Sequence, residues 1–139
     1  MTLTRKSGLK RTGFLKRSGK LKPRNAKRQK RNHARAYGGA ERIAFVKGLP
    51  CGACGWIGAS EVAHTKTGGT GRKADAQFTA PLCGPHPISA FGLVGTVEGC
   101  HRMLHRLGVK TFERDFAISL DELAARTEAA WQASRGEGR

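Results

Sequence analysis

Cys51-Gly52-Ala53-Cys54, His64, Cys83-Gly84-Pro85-His86 and Cys100-His101-Arg102-Met103-Leu104-His105 lie within 55 residues and hold all four cysteines and four of the five histidines. Thiols and imidazoles at this density point to metal. Two thiolates separated by two residues reach one ion when the backbone between them turns tightly, and Gly52 and Gly55 permit that turn. A redox C-x-x-C is the competing reading, but it sits in a βαβ setting that is not evident here. Cys83 and Cys100 complete a four-thiolate set that leaves no position for water, so the ion is expected to be structural zinc. His86 has ordinary ligand spacing from Cys83 and stands as the alternative fourth ligand to Cys100.

A structural metal suits the rest of the composition. At 139 residues, with 6% aromatic residues and 19 glycines, the chain has little from which to build a large core. Bound zinc supplies folding energy to such domains. No apolar run reaches membrane-spanning length, and the basic start is not followed by an apolar signal segment. The expected location is therefore cytoplasmic, where paired cysteines stay reduced and more often hold metal than form disulfides.

Charge is concentrated at one end. Of the 26 Lys and Arg residues, 14 precede Ala36, and the first acidic residue is Glu41. The remaining 12 nearly balance the 10 Asp and Glu. A net charge of +16 so distributed calls for a polyanionic partner, most simply DNA, bound through phosphates and sensitive to salt. Residues 1–36 read as a basic DNA-binding arm: glycine- and serine-rich repeats to Pro23, disordered without a partner, then an Ala-, Arg- and Lys-rich helix from Asn25 to Ala36. Gly38-Gly39 ends that helix, and Glu41–Val46 forms a short second one.

Between the cysteine pairs, Glu61–His64 is expected as a strand. A glycine-rich basic loop, Thr65–Asp75, follows, with Lys66, Arg72 and Lys73 placed for phosphate, and Ala76–Leu82 forms the returning strand. Pro85–Gly99 is an insertion with apolar positions at Ile88, Phe91, Leu93, Val94 and Val97, suited to a hairpin or a contact surface. His101 and His105, at i and i+4, share one face of a short helix that stops at Gly108, where both can bind one cation. Phe112 and Phe116 are placed to pack on the core. Ser119-x-x-Glu122 has the form of a capping box for a helix burying Leu120, Leu123, Ala124, Thr127, Ala130 and Trp131, with Ser134–Arg139 as a frayed tail.

Taken together, Cys51-x-x-Cys54, Ala63-His64, Pro81-Leu82-Cys83 and Cys100-His101-x-x-x-His105-x-x-Gly108 resemble the HNH, or ββα-metal, endonuclease superfamily. Within it the chain is similar to small phage-encoded zinc-binding proteins of the kind that includes the phage recombination nuclease Ref. The resemblance implies a small α+β fold: a ββα-metal core over residues 37–118 stabilised by the zinc site, a basic arm at 1–36, and a closing helix with its tail at 119–139. It implies metal-dependent hydrolysis of DNA phosphodiesters in a bacterial host cell, in recombination or processing, with a recombination filament or the packaging machinery as further partners. His64 matches the general base, and His101 and His105 match the helix histidines that hold or orient catalytic Mg2+ or Mn2+.

The chain departs from the family pattern at three places. Ala63 stands where a metal-binding His or Asp often precedes the base. No Asn occupies the middle position of the motif, leaving Asp75, or failing it Gln77, as substitute, with Asp75 the harder oxygen ligand. The cysteines of the second pair are far apart. Arg102 joins Lys66, Arg72 and Lys73 as an expected phosphate contact. A zinc-stabilised nucleic-acid-binding module with an inactive centre is the alternative function.

Overall fold

The computed structural model describes residues 25–69, 72–90 and 93–136. The disorder expected before Pro23, Gly71 of the basic loop, Phe91 of the insertion and the last three residues lie outside them. Helix α1, Ala26–Tyr37, is capped by the Asn25 side chain, which accepts from the Arg28 amide, and it ends at Gly38 in the left-handed region. Helix α2, Ala40–Gly48, leads into the C-x-x-C turn. Strand β1, Ser60–His64, pairs antiparallel with β2, Thr79–Cys83, with Ser60 opposite Cys83 and His64 opposite Thr79.

The returning strand is shorter than expected. Ala76–Phe78 forms a 3-10 turn, because the chain needs a tight corner after Asp75 to reach the Thr79 register. The insertion is a hairpin, β3 (His86–Ala90) paired with β4 (Leu93–Val97). Helix α3, Cys100–Leu107, follows, then α4, Val109–Phe116, and α5, Leu120–Gly136. The described residues form a small α+β fold with two separate two-stranded sheets. No helix among the described residues is long and apolar enough to cross a membrane.

One cluster forms the core: Ala63, Ala80 and Leu82 from the first sheet, Leu104 from α3, Phe112 from α4, Leu120 and Leu123 from α5, and Cys51, Cys83 and Cys100 among them. Phe112 is fully buried and packs on Phe116 at 4.5 Å between ring centroids. Ser119 Oγ accepts from the Glu122 amide at 3.3 Å, and Glu113 Oε1 takes the Leu120 amide at 2.8 Å, so α5 is capped from two sides. Thr127 is buried as expected, but Ala130 is exposed, and Trp131 packs outside the main cluster against Phe45 at 5.4 Å. The helix runs through Ser134 to Gly136, where fraying was expected. A buried cation ties three elements together: Arg42 of α2 donates to Thr79 Oγ1 at 2.6 Å and to Glu128 Oε2 at 2.8 Å.

The expected boundary at residue 36 falls inside α1, whose last turn is fastened to the domain. Arg35 pairs with Asp75 and donates to the Lys73 carbonyl, and Lys73 bonds the Tyr37 hydroxyl.

Candidate metal centre and adjoining cleft

Two sites share α3, and adjacent residues of that helix serve each. Cys100 begins the helix and is buried with Cys51 and Cys83, while Cys54 is exposed. The four sulfurs lie within 4.8 Å of one another and are free thiols. Cys54 Sγ and Cys83 Sγ are 3.6 Å apart, close to the edge of about 3.8 Å that four sulfurs make around zinc at about 2.3 Å. Local backbone bonds set this convergence: the Gly55 amide closes the turn on the Cys51 carbonyl at 2.9 Å, and the Gly52 amide ties the turn to Pro81 of β2 at 2.8 Å. The Cys100 amide, at the start of α3, donates to Cys83 Sγ at 3.3 Å, where the helix end favours negative charge.

Without a cation the thiols oppose one another. Burial raises the Cys51 pKa, but bonds from the Cys54, Cys83 and Ala53 backbone and the Cys54 thiol outweigh it and bring the group to about 7. Burial pushes Cys83 up to about 11, and burial with the nearby Cys51 charge pushes Cys100 higher still. A divalent cation reverses that balance, because it stabilises every thiolate at once. Among the described residues this is the cluster that could hold a metal ion such as zinc. His86 is turned elsewhere: its Nδ1 donates to the Gly84 carbonyl at 3.0 Å and its ring stacks on Trp56 at 4.1 Å. Cys100 therefore occupies the fourth place.

The second site is an open cleft of about 870 Å3 lined by His64, His101, His105, Lys66, Arg72 and Lys73. His64 ends β1, and the histidine pair lies one turn apart on α3. His101 Nδ1 donates to Glu61 Oε2 at 2.6 Å, which leaves its Nε2 facing His105 Nε2 at 3.1 Å. The two ring nitrogens are within hydrogen-bonding distance, and the bond to Glu61 fixes the tautomer and orientation of His101. His64 donates from Nε2 to the Ala36 carbonyl at 2.9 Å and meets the edge of the Tyr37 ring at 5.0 Å. Burial lowers its pKa, aided by the charges of Lys73 and His101 and opposed by the Ala36 and Ala74 carbonyls.

Two expected site residues fall elsewhere. Asp75 does not line the cleft; it pairs with Arg35 and lines a separate recess with Lys66 and Phe78. That ion pair forms because α1 packs against the basic loop, so Asp75 is not brought together with His101 and His105. Arg102 also lies outside the cleft, beside Glu98 one turn earlier at 3.8 Å. Lys66 lines the cleft while bonded to Asp121 at 3.0 Å. Sequence reasoning missed Glu61, Ala36 and Tyr37. An exposed strand carboxylate and a helix carbonyl give no sign in sequence of what will fold against them.

No protein-family model, curated protein or solved structure matches this chain.

Proposed function

We propose that the chain is an HNH-type, metal-dependent DNA endonuclease whose centre is the cleft between β1, α3 and the basic loop. The observation that carries this reading is the convergence of His64, His101 and His105 with Lys66, Arg72 and Lys73 in one solvent-open cleft beside the cysteine cluster. The chain order supports it too: an antiparallel strand pair with a histidine at the end of its first strand, then a helix carrying two histidines, with β3 and β4 inserted between them.

Each group has a role suited to its chemistry. His64 is the general base; its Nε2 is committed to Ala36, so Nδ1 holds the lone pair that takes the proton of the attacking water. His101 and His105 hold the catalytic cation, Mg2+ or Mn2+, and Glu61 orients His101. The cation supplies charge neutralisation at the scissile phosphate and leaving oxygen. Lys66, Arg72 and Lys73 bind the phosphates on either side. Zinc on the four cysteines is structural and fixes Cys100, and with it the start of α3.

The test is supercoiled plasmid incubated with the purified protein and Mg2+ or Mn2+. The reading expects nicked circles that DNA ligase reseals, because the family product carries a 5′-phosphate and a 3′-hydroxyl. Plasmid left supercoiled with either metal defeats it.

A second reading has its own observation. Ala63 supplies no ligand beside His64, Asp75 is engaged by Arg35, and Asp121, which lines the cleft, is paired with Lys66. A zinc-stabilised nucleic-acid-binding module with an inactive centre accounts for this, and predicts DNA binding that survives His64→Ala with no cleavage.

A further inference from the structure

Helix α1 presents Arg28, Arg31 and Arg35, at i, i+3 and i+7, along one face. With Arg72 and Lys73 of the basic loop, that face bounds a groove of about 760 Å3. No acidic side chain lines it among the described residues. Tyr37, Arg72 and Lys73 line both this groove and the histidine cleft, so the two are continuous. The helix is held there by the Arg35–Asp75 pair, the Lys73 bond to the Tyr37 hydroxyl and the Ala36 bond to His64. Its charges are therefore pre-positioned relative to the cleft.

We propose that this groove is the track for the polynucleotide backbone flanking the cleft, with phosphates held by Arg28, Arg31, Arg72 and Lys73 and the strand entering the cleft beside Tyr37; its direction rests on the nuclease reading of the cleft. Twelve helical residues extend about 18 Å, or about five base pairs of duplex. An anionic membrane is the poorer fit. Ala36 is the one buried residue of α1, and apart from the small Ala26 and Ala34 its exposed residues are polar or basic, so the helix has no large apolar face to insert.

The test compares the full-length protein with two double variants of equal charge loss: Arg28→Gln with Arg31→Gln in the groove, and Lys27→Gln with Lys30→Gln on the same helix outside it. Binding to a labelled DNA duplex is measured across a salt series without added Mg2+ or Mn2+, and helical content by circular dichroism checks folding. The groove variant is expected to bind about tenfold more weakly at physiological salt and to lose about two units of the log–log salt slope, with the outer variant near wild type. Equal losses in both variants overturn the track, as does a groove variant that binds like wild type. So does preferential, Arg28- and Arg31-dependent binding to phosphatidylserine vesicles over duplex. The plasmid assay separates the two ideas: absent nicking with groove-dependent binding sinks the nuclease and leaves the track, whereas nicking by a protein whose binding ignores Arg28 and Arg31 sinks the track alone.

Discussion

His64 donates a hydrogen bond from Nε2 to the carbonyl of Ala36, 2.9 Å away in the last turn of α1. A carbonyl only accepts, so the neutral ring keeps its lone pair on Nδ1. In effect a backbone oxygen of the basic helix does for His64 what a neighbouring side chain does in many acid–base sites. Nitrogen NMR of His64 is expected to show the Nε2–H tautomer. Gly38→Val should disturb it, because Gly38 has φ of 76° and a Cβ there collides with the buried Arg42 side chain, displacing the end of α1. A His64 that carries its proton on Nδ1 in the wild type contradicts this account.

The same burial sets a pH dependence. Desolvation holds the His64 pKa below its ordinary value of 6.5, so the ring is neutral at pH 7 and able to act as base. Cleavage efficiency should rise with pH through that lowered pKa and level off before neutrality. Folding stability follows the same sign. Between the lowered folded pKa and 6.5 the unfolded chain binds more proton, so the contribution is whole above 6.5 and is lost as pH falls through the folded value. In a urea titration series, His64→Ala should flatten that part of the stability profile; an unchanged slope would count against the assignment.

Zinc removal should unfold the domain, since three of the four thiols are embedded in its core. Binding at such a site contributes about 10–16 kcal/mol, comparable to or larger than the whole stability of about 5–15 kcal/mol expected of a domain. Cys100→Ser is predicted to lose the metal and the cooperative melt together, by elemental analysis and circular dichroism. His86→Ala should keep both, because its ring is engaged by Gly84 and Trp56. Loss of zinc from His86→Ala would reassign the fourth ligand.

Gly99 offers a backbone test of the same centre. It precedes Cys100 with φ of 89°, and a Cβ built there collides with the Gly84 carbonyl group. Gly99→Ala should cost about 1–3 kcal/mol from the backbone strain alone, with further loss as the ligand shifts. Gly55→Ala, at φ of 73° with open space around its Cβ, should cost less. Thermal melts of the two variants check the order.

The Cys51–Cys54 turn and the helical histidine pair were legible in sequence because each motif is local, two residues between thiols and one turn between imidazoles, while Cys83 and Cys100 were legible as the remaining cysteines of the chain. Helices α1, α3 and α5 announce an end or a start through Gly38, Gly108 and Ser119, residues that begin or end helices wherever they occur. The misplacements were long-range. Asp75 looked like a free hard ligand until α1, 40 residues earlier, supplied Arg35 as its partner. Glu61, read in sequence only as the start of a strand, meets His101, also 40 residues away. Lone exposed charges carry no sign of the partner that tertiary structure will bring, so neither pairing was readable from spacing.

The central claim is tested most directly by one comparison: supercoiled plasmid with Mg2+ or Mn2+, wild type against His64→Ala, both purified identically and both shown to be folded and zinc-loaded. Wild type should convert the plasmid to nicked and linear forms while His64→Ala falls by at least about 10²-fold, the scale of a lost general base. Equal activity in the two preparations, or none in either, contradicts the assignment of this cleft as a nuclease centre.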